Sequence, residues 1–596
     1  MLGAVLGDII GSSYEWNNVK TKDFPLVTDH TRYTDDSVMT LAVAKWLLDD
    51  PTHSPEHLIS CMQQLGRAHF RAGYGGSFKQ WLLSTTPQPY NSWGNGSAMR
   101  VSPVGLFADT EDEARSLAQL TAAVTHNHPE GIKGAEAVAV AVFTNRHLAS
   151  LPLDFRKKMT RLKVEQLFGY DLSRTLDEIR PTYRFDVSCQ GSVPEAIIAY
   201  LESNSVEDCV RNAISIGGDS DTIAAIACSI FMAGENSSKE ENAWTLAFDK
   251  YLSNDLQSIM QQFERFVFPE KPTYNSYAVN EWLYAGEYPG HSNADKAMLK
   301  LRQFKRFGIT HFIDLTEEGE LQPYQPLLSG IQYMRFPIVD QNVPESIEAV
   351  KHLIKTIRQV HHDDVHNRVY IHCWGGVGRT GTIVACYLTT VLGTDYEATI
   401  KALDRLWAEC PKSATRVSPE TSSQHRFIAD FIAHLDAFKQ IPSAQIWSKA
   451  QPHTPRTIDR KGTTSRSTEI ATPDSWETQP MPQQHCVIAV DIAIPASVMH
   501  IIRQGHIPEA MEDHWFMYCD DTHIRYYRSW TGICIYEARY ETTDDGFRIT
   551  SVKVNRQHNQ YGSTNDRYDC CLFIYLLATH TGGNTSSILE ALQSLE

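Results

Sequence analysis

The segment TDDS at residues 34–37 stands directly before the apolar stretch Val38–Leu48, and GGDSDT at residues 217–222 stands directly before Ile223–Met232. Asp, Ser and Thr commonly cap helices, so one such segment alone would indicate ordinary N-capping. Two segments favour a shared site, because carboxylates stay ionised at helix N-termini and converging anions repel each other unless a cation neutralises them. Oxygen ligands suit Mg²⁺ or Mn²⁺ rather than zinc. The sequence therefore predicts a site for a hard divalent metal.

Outside these segments, the chain divides into four predicted regions. Apolar runs of helix length continue to about residue 265, which predicts an all-α domain at 1–265. Strand-like pieces followed by helical stretches predict an α/β domain at 270–440. A stretch rich in Pro, Ser and Thr predicts a linker at 441–484, and further strand-like pieces predict a small α+β domain at 485–596. The predicted strands are Trp282–Ala285, Thr310–Leu315, Val369–His372, Cys486–Ile494, Trp515–Cys519, Gly532–Tyr540 and Phe547–Val554.

Length and composition limit the function classes. The 596 residues predict about three or four folding units, and 42% hydrophobic with 21% charged residues excludes wholesale disorder. The 54 basic and 71 acidic residues give a formal net charge of −17, which disfavours a broad attraction to nucleic acid or to a membrane surface. Nucleic acid stays open as a partner only through locally clustered basic residues. Sparse cysteines, no secretory signal and no long apolar span predict a cytoplasmic protein without a membrane segment.

Further motifs accompany the acidic segments: GAVLGDIIGSSYEW at 3–16, GNGSAMR at 94–100 and RFDVSCQG at 184–191. In this order they resemble the ADP-ribosylglycohydrolase family across about residues 1–265. The resemblance implies an all-helical fold that releases ADP-ribose from an ADP-ribosylated macromolecule or conjugate, with Glu15 in acid/base chemistry at the anomeric carbon. It also implies two Mg²⁺ ions, with Mn²⁺ as a substitute, held by Thr34, Asp35, Asp36, Asp219, Asp221 and Thr222.

Two other features of this region are candidate ligand-binding elements. The first is a predicted turn whose backbone amides can approach a ligand. Its residues are Gly94, Asn95, Gly96 and Ser97. A Gly-Asn-Gly segment is also common in simple turns, so both interpretations stay open. His126, in the segment THNHP at 125–129, is the second candidate. Its alternative role is a hydrogen-bonded loop residue, since oxygen ligands already complete the metal set.

The segment HCWGGVGRTG at 372–381 follows the strand-like Arg368–Ile371 and precedes the apolar stretch Thr382–Leu392. A Cys-x5-Arg loop between a strand and a helix can wrap its amide groups around a phosphate, and the helix N-terminus adds positive potential. The same field favours a nucleophilic Cys373 thiolate, and Arg379 can bind two phosphate oxygens. The glycines that permit the wrap are Gly375, Gly376 and Gly378.

This loop and its surroundings resemble the protein tyrosine and dual-specificity phosphatases over about residues 275–440. The resemblance implies a cysteinyl-phosphate intermediate on a phosphorylated substrate. It implies Asp340, in FPIVD at 336–340, as the general acid. It also implies that Thr380 assists the departure of the thiolate and that Gln424 positions water.

Two candidate sites on one chain predict a bifunctional hydrolase. Its activities would act in sequence on phosphate-linked ADP-ribose, since a shared chain raises the local concentration of the first product. The alternative is a non-catalytic reader that holds ADP-ribosyl or phosphoryl groups without turnover. The retention of Cys373, Asp340 and the acidic segments favours the enzyme. In the last region, Trp515, Arg525 and neighbouring aromatic and basic residues either fill a small core or bind a nucleotide.

Overall fold

The computed structural model describes residues 1–235, 249–450, 470–508 and 512–595. The chain forms two compact units, which are Met1–Glu270 with Gly290–Phe307, and Lys271–Pro289 with Gly308–Glu596. Within the described ranges, no helix has both the length and the apolar character needed to cross a bilayer. The limits predicted for the four regions of the chain stay predictions.

The first unit is built from helices, which confirms the all-α prediction for this region. Its helices are α1 (Leu2–Gly11), α2 (Asp35–Asp49), α3 (Pro55–Ala68), α4 (Gly76–Leu83), α5 (Gly96–Met99), α6 (Ser102–Phe107), α7 (Glu111–Ala123), α8 (Pro129–His147), α9 (Leu153–Phe168), α10 (Leu176–Ile179), α11 (Cys189–Leu201), α12 (Val206–Ser215), α13 (Ser220–Ala233), α14 (Asn254–Val267) and α15 (Ala294–Phe307). Helix α2 begins where the acidic segment predicts, because the Thr34 hydroxyl accepts a hydrogen bond from the Asp36 amide. Helix α13 begins directly after Asp219.

Helices α1 and α13 pack backbone to backbone. Gly3, Gly7 and Gly11 recur every four residues on one face of α1, and a Cβ at each would overlap the α13 backbone; at Gly11 it would lie 2.5 Å from the Asp221 Cα. Only glycine permits this approach. The contact therefore brings the second half of α1 to the start of α13.

Helix α15 lies in the region predicted to be α/β, yet it belongs to the helical unit. Arg302 forms ion pairs with Asp109 (Nε to Oδ2, 2.9 Å) and Glu113 (Nη2 to Oε1, 2.6 Å). Its guanidinium lies 4.5 Å from the ring centroid of Phe107, and Arg306 donates to the Phe107 carbonyl. Both arginines therefore fix α15 to the helical unit.

The second unit contains the predicted α/β sheet. Its strands are β1 (Ser276–Ala278), β2 (Leu283–Gly286), β3 (His311–Asp314), β4 (Gln332–Arg335) and β5 (Val369–His372), in the order β1-β2-β5-β3-β4. All pairs are parallel except β1 with β2. The helices of this region are α16 (Ile347–Asp363), α17 (Gly378–Leu392), α18 (Tyr396–Trp407) and α19 (Ser422–Leu435). Strand β5 is central and fully buried, so the loop after it lies at the carboxyl edge where α/β proteins bind ligands.

The C-terminal part of this unit is α+β, as predicted. An antiparallel sheet in the order β6-β10-β9-β8-β7 comprises β6 (His485–Ile494), β7 (Trp515–Cys519), β8 (His523–Arg528), β9 (Cys534–Thr543) and β10 (Gly546–Asn555). Its helices are α21 (Ala496–Ile502), α22 (Asp566–His580) and α23 (Ser586–Leu595), after a short α20 (Ser443–Ile446). Tyr526 and Tyr536 are fully buried and contact Phe573 of α22 edge-on. Aromatic residues of this sheet thus fill a core, one of the two predicted roles.

Residues 451–469 of the predicted linker 441–484 lie outside the described residues, and its other parts contain the short helices Ser443–Ile446 and Pro473–Ser475. Trp447 is buried, and its indole Nε1 donates to the Ala493 carbonyl at 2.8 Å. In α22, Arg567 donates to Asp436 at 2.7 Å and to the Thr389 carbonyl at 3.1 Å. The C-terminal sheet and the α/β sheet contribute side chains to one hydrophobic core. The two regions are therefore packed together within the second unit.

Candidate active sites

The first candidate site lies where α1, α2 and α13 meet. Carboxylate oxygens of Asp8, Asp36 and Asp221 lie within 4.8 Å of one another, and so do those of Glu15, Asp219 and Asp221. The close packing of α1 on α13 accounts for this geometry, because it places Asp8 and the turn after α1 beside the start of α13. Residues far apart in the sequence thus form one acidic cluster.

Hydroxyl and amide groups named by the sequence analysis contact this cluster. Thr222 Oγ1 donates to Asp36 Oδ2 at 3.2 Å, across 186 positions of the chain. Asn95 Nδ2 donates to Asp219 Oδ2 at 2.7 Å. Thr34 and Thr222 are both almost fully buried. One site therefore contains Asn95 of the predicted turn and five of the six predicted metal ligands, which are Thr34, Asp36, Asp219, Asp221 and Thr222. The sixth, Asp35, lies near this site, since after burial the charges of Asp8 and Asp219 raise its pKa.

Asp8 belongs to this site although no sequence motif singles it out. It is fully buried, and its Oδ2 accepts hydrogen bonds from the amides of Thr34 (2.9 Å) and Ser37 (3.1 Å). Its Oδ1 accepts from the Thr34 hydroxyl at 2.6 Å. These bonds hold the first turn of α2. The available signal was an aspartate in the middle of the otherwise apolar helix GAVLGDIIG.

Burial and mutual repulsion change the acidity of the cluster. Burial, followed by the charge of Asp8, raises the pKa of Asp35 to about 7. Burial and the charge of Asp219 raise the pKa of Asp221 well above its ordinary value, and the same two causes raise that of Glu15 to about 7. Carboxyl groups this close together cannot all ionise without a compensating charge.

The donor atoms fit a hard divalent cation. Asp36 Oδ1 is buried and has no hydrogen-bond partner among the described residues, so it keeps electron pairs available for a ligand. The neighbouring donors are carboxylate and hydroxyl oxygens, which Mg²⁺ and Mn²⁺ prefer. A cation here would offset both the repulsion and the unsatisfied oxygen.

The hydrogen bonds of Gly94, Ser97 and His126 go to groups outside the acidic cluster. Ser97 is fully buried and donates to the Gly131 carbonyl at 2.7 Å, while the Gly94 carbonyl accepts from Cys189 Sγ at 3.2 Å. His126 Nδ1 lies 2.7 Å from the Thr125 hydroxyl, and its Nε2 would lie 3.0 Å from a Cβ at Gly96. Burial lowers the pKa of His126 well below its usual value. Asn95 reaches the cluster, whereas Ser97 and His126 support the turn.

The second candidate site is the loop from Cys373 to Arg379, between the end of β5 and the start of α17. Gly376 has φ +73°, and a Cβ there would overlap the backbone of Gly286. Cys373 is 3% exposed. Lys412 Nζ donates to the Gly375 carbonyl at 2.9 Å, which places a cation beside the loop. The loop thus lies between a buried strand and a helix, as the sequence predicts, and its role in binding phosphate stays a prediction.

Arg379 meets two carboxylates. Its Nη1 and Nη2 donate to Glu320 at 2.7 Å each, its Nη1 also donates to the Ile338 carbonyl at 3.0 Å, and its Nη2 lies 2.9 Å from Asp340 Oδ1. The structure thus brings the predicted general acid to the predicted phosphate-binding arginine. Glu320 was not selected from the sequence, because its segment TEEGEL at 316–321 carries no motif. This bidentate pair fixes the plane of the guanidinium.

Thr380 and Gln424 take different positions around the loop. Thr380 is fully buried, and its Oγ1 has no hydrogen-bond partner within the described chain. Gln424 lies beside the loop, since its Nε2 would be 2.9 Å from a Cβ at Gly378. Its amide group is already engaged: Oε1 accepts from the Glu420 and Thr421 amides in a capping box, and Nε2 donates to a backbone carbonyl. Its visible role is to cap α19.

Comparisons with known proteins assign a family to each of the two regions that carry a candidate site. Residues 1–235 match the family described as ADP-ribosylglycohydrolase, and residues 278–428 match "Swiss Army Knife protein, DSP-PTPase phosphatase domain". The chain is therefore a hydrolase with two enzyme domains. It carries an ADP-ribosylglycohydrolase domain fused to a dual-specificity-type phosphatase domain.

Individual relatives resemble separate parts of the chain. Human ADP-ribosylhydrolase ARH3 is 25% identical over 338 residues, which cover 44% of this chain and 93% of the relative. Human dual specificity protein phosphatase 15 is 34% identical over 122 residues, which cover 20% of this chain and 36% of the relative. A solved ADP-ribosylglycohydrolase-related protein complex is 21% identical with a TM-score of 0.33, covering 45% of this chain and 96% of that one.

Proposed function

We propose that the chain is a bifunctional hydrolase that cleaves the glycosidic bond of ADP-ribosylated substrates at the acidic cluster and hydrolyses phosphomonoesters at the Cys373 loop. The convergence of carboxylates from α1, α2 and α13 beside Glu15 carries the first activity. The contact of Asp340 with Arg379 supports the second. A cytoplasmic location stays a prediction.

In the first domain, the chain's own residues would hold the metal and orient the reacting groups. Two Mg²⁺ ions, or Mn²⁺ in their place, would be held by Thr34, Asp35, Asp36, Asp219, Asp221 and Thr222. Bound metal would fix the hydroxyls of the ribose next to the scissile bond. Glu15 activates the attacking water or stabilises the positive charge that develops at the anomeric carbon. Asn95 orients Asp219 through its amide hydrogen bond.

In the second domain, the Cys373 thiolate attacks phosphorus. A sulfur–phosphorus bond forms while the bond to the leaving oxygen breaks, and Asp340 gives its proton to that oxygen. Water then attacks phosphorus, Asp340 takes its proton, and the thiolate leaves with release of inorganic phosphate. In the structure, Nη2 of Arg379 contacts Asp340. When substrate binds, Nε and Nη2 of Arg379 bind the phosphate instead, and Asp340 becomes available to protonate the leaving oxygen.

The two steps connect on one substrate class. If ADP-ribose is attached through a phosphate, cleavage at the anomeric carbon releases ADP-ribose and leaves a phosphomonoester. The phosphatase domain would then hydrolyse that phosphomonoester. Both domains on one chain raise the local concentration of the intermediate.

The test is a substrate screen with purified full-length protein. Arg-, Ser-, nucleic-acid- and phosphate-linked ADP-ribose are incubated with Mg²⁺ or with EDTA, and ADP-ribose and inorganic phosphate are measured separately. Wild type is expected to release ADP-ribose only with the metal. Asp221→Ala should abolish ADP-ribose release, and Cys373→Ser should abolish only phosphate release. Failure to release ADP-ribose from any linkage would favour the non-catalytic reader.

A further inference from the structure

An exposed aromatic pair borders the first site. Trp16 is 78% exposed and Phe185 is 42% exposed, and their rings stack with centroids 5.3 Å apart and an interplanar angle of 23°. One face of the Trp16 indole is covered by Phe185, which leaves the opposite face to solvent. Exposed aromatic pairs of this kind mark interaction surfaces, because folding alone gains little from leaving them in water.

The pair is held at the Glu15 side of the acidic cluster. Trp16 directly follows Glu15, and Asn18 hydrogen-bonds the carbonyls of both Glu15 (2.9 Å) and Gly218 (3.0 Å). On the other side, the Lys20 ammonium donates to the carbonyl of Tyr183 at 2.7 Å, two positions before Phe185. Both backbone segments that carry the rings are therefore anchored to the site. A group stacked on Trp16 would lie next to the residue proposed to act at the anomeric carbon.

Basic residues lie near the segments that carry the pair, although the whole chain has a net charge of −17 and the acidic residues Glu15 and Asp186 directly neighbour the two rings in the sequence. After burial, the nearby charge of Arg184 lowers the pKa of Lys20, which indicates that the two cations lie close together. Arg32 is near enough to Glu15 to favour its ionised form. Arg184 is exposed and forms no ion pair within the described ranges. This local clustering is the condition under which an acidic protein can bind a polyanion.

We propose that Trp16 and Phe185 form a base-stacking platform for a single-stranded nucleic acid that carries the ADP-ribose, with its phosphates beside Arg32 and Arg184. The inference rests on the proposed glycohydrolase function and names its acceptor. An aromatic face flanked by arginines suits a nucleobase with its phosphate, because stacking accepts every base and guanidinium groups pair with phosphate oxygens. A peptide acceptor offers neither group as a regular feature.

Binding is tested first, without turnover. Anisotropy of a fluorescein-labelled, unmodified single-stranded oligonucleotide is measured with wild type, Trp16→Ala, Phe185→Ala and Trp530→Ala. Trp530 is a matched control because it is 68% exposed but belongs to the C-terminal sheet region. Loss of one stacked base weakens binding by about 5- to 150-fold, which is expected for Trp16→Ala and not for Trp530→Ala. Arg184→Gln should lower the salt dependence of binding by about one phosphate contact.

A turnover assay then tests whether the platform recognises the acceptor or the ADP-ribose. Phe185→Ala should lower kcat/KM for ADP-ribosylated oligonucleotide by a similar factor and leave that for an ADP-ribosylated serine peptide within about twofold. Trp16→Ala is used only in the binding assay, because Trp16 also hydrogen-bonds Glu15. The proposal is overturned if the oligonucleotide does not bind wild type, if Trp530→Ala has the same effect, or if both substrates lose activity equally. Since the anisotropy measurement needs no catalysis, intact binding without hydrolysis would reject the proposed function and keep the platform.

Discussion

Asn18 hydrogen-bonds both backbone groups of Gly218: its Nδ2 donates to the carbonyl at 3.0 Å, and its Oδ1 accepts from the amide at 2.8 Å. The same Nδ2 donates to the carbonyls of Tyr14 and Glu15. Gly218 has φ +81° and directly precedes Asp219. One exposed side chain therefore ties the turn that carries Glu15 to the loop that carries Asp219.

Replacing Asn18 with Ala is expected to lower kcat for ADP-ribose release by about 10- to 100-fold with little change in KM, because small misplacements of a catalytic group reduce rate more than binding. The matched control is Asn17→Ala, which removes an exposed neighbouring amide. Steady-state ADP-ribose release gives both parameters, and thermal unfolding checks the fold. An unchanged kcat in Asn18→Ala would contradict the positioning role.

Removal of metal should make the first domain sensitive to pH. The pKa of Asp35 is raised to about 7 by burial and by Asp8, so the folded state binds more protons than the unfolded state between about pH 4 and 7. In EDTA, the free energy of unfolding is therefore expected to fall as pH rises through this window. Mg²⁺ should cancel the fall, since a cation replaces the protons.

Urea unfolding at several pH values measures this effect. Asp221→Asn is the informative variant, because it removes one buried charge while nearly conserving the shape of the side chain. It should reduce both the pH dependence in EDTA and the stabilisation by Mg²⁺. Equal stability of wild type at pH 5 and pH 8 in EDTA would refute the prediction.

Glu320→Gln is expected to lower the phosphatase kcat/KM by about tenfold, because an amide cannot form the charge-assisted bidentate pair that orients Arg379. The exposed Glu318→Gln provides the control. Asp340→Asn should differ, losing activity on alkyl phosphates but keeping much of it on p-nitrophenyl phosphate, whose leaving group needs little protonation. Identical profiles for the Glu320 and Asp340 variants would show that Glu320 acts otherwise.

Gly7→Ala should destabilise the first domain by about 1–3 kcal/mol, because the added Cβ would overlap the α13 backbone at Ala224. Gly76→Ala is the matched control, since nothing lies within 4 Å of a Cβ there. That control is expected to be neutral or stabilising by less than about 1 kcal/mol. Denaturant unfolding of the full chain measures both, and equal effects would exclude close packing as the cause.

Arg567→Met should destabilise the second unit by about 1–3 kcal/mol, because it removes the charge-assisted hydrogen bonds to the half-buried Asp436 and the bond to the Thr389 carbonyl. Asp436 keeps its ion pair with Lys439 at 3.1 Å, which limits the loss. The double variant Asp436→Asn with Arg567→Met is expected to recover part of the loss, which a double-mutant cycle in urea quantifies. Full additivity of the two changes would show that the pair is not coupled.

The sequence could predict those features that depend on local patterns. The helix start at Thr34 follows from capping chemistry, and the Cys373 loop follows from a strand, a glycine-rich turn and an apolar helix. Asp219 precedes α13 as its segment predicts, but its side chain does not cap the helix. The short strands β2 and β5 are apolar and fully buried, which made them recognisable, whereas the equally short β4 reads QYMR and is only partly buried. Strand β4 and the three-residue β1 therefore carry no pattern that predicts them. A sequence pattern therefore predicts a feature correctly when one continuous segment contains all the residues that define it.

The remaining site residues depend on contacts between distant segments. Glu320 meets Arg379 across 59 positions, and nothing in its own segment identifies the partner. Asp8 stands in an apolar helix, where its role becomes visible only once α2 and α13 are placed beside it. Ser97 and Asn95 are two positions apart yet point to different surroundings, because the turn of α5 decides which one reaches Asp219. Such outcomes depend on packing rather than on local propensity.

Helix α15 has a consequence for how this gene can be divided. Arg302 and Arg306 fasten it to Asp109 and Phe107, yet it is encoded after the first two strands of the α/β sheet. A fragment ending at residue 270 would leave Asp109 and Phe107 without the helix that packs on them. A fragment starting at residue 271 would contain α15 without the surface on which it packs. A single recombination crossover could therefore not separate the two domains with both intact. The two hydrolase domains are expected to be inherited together.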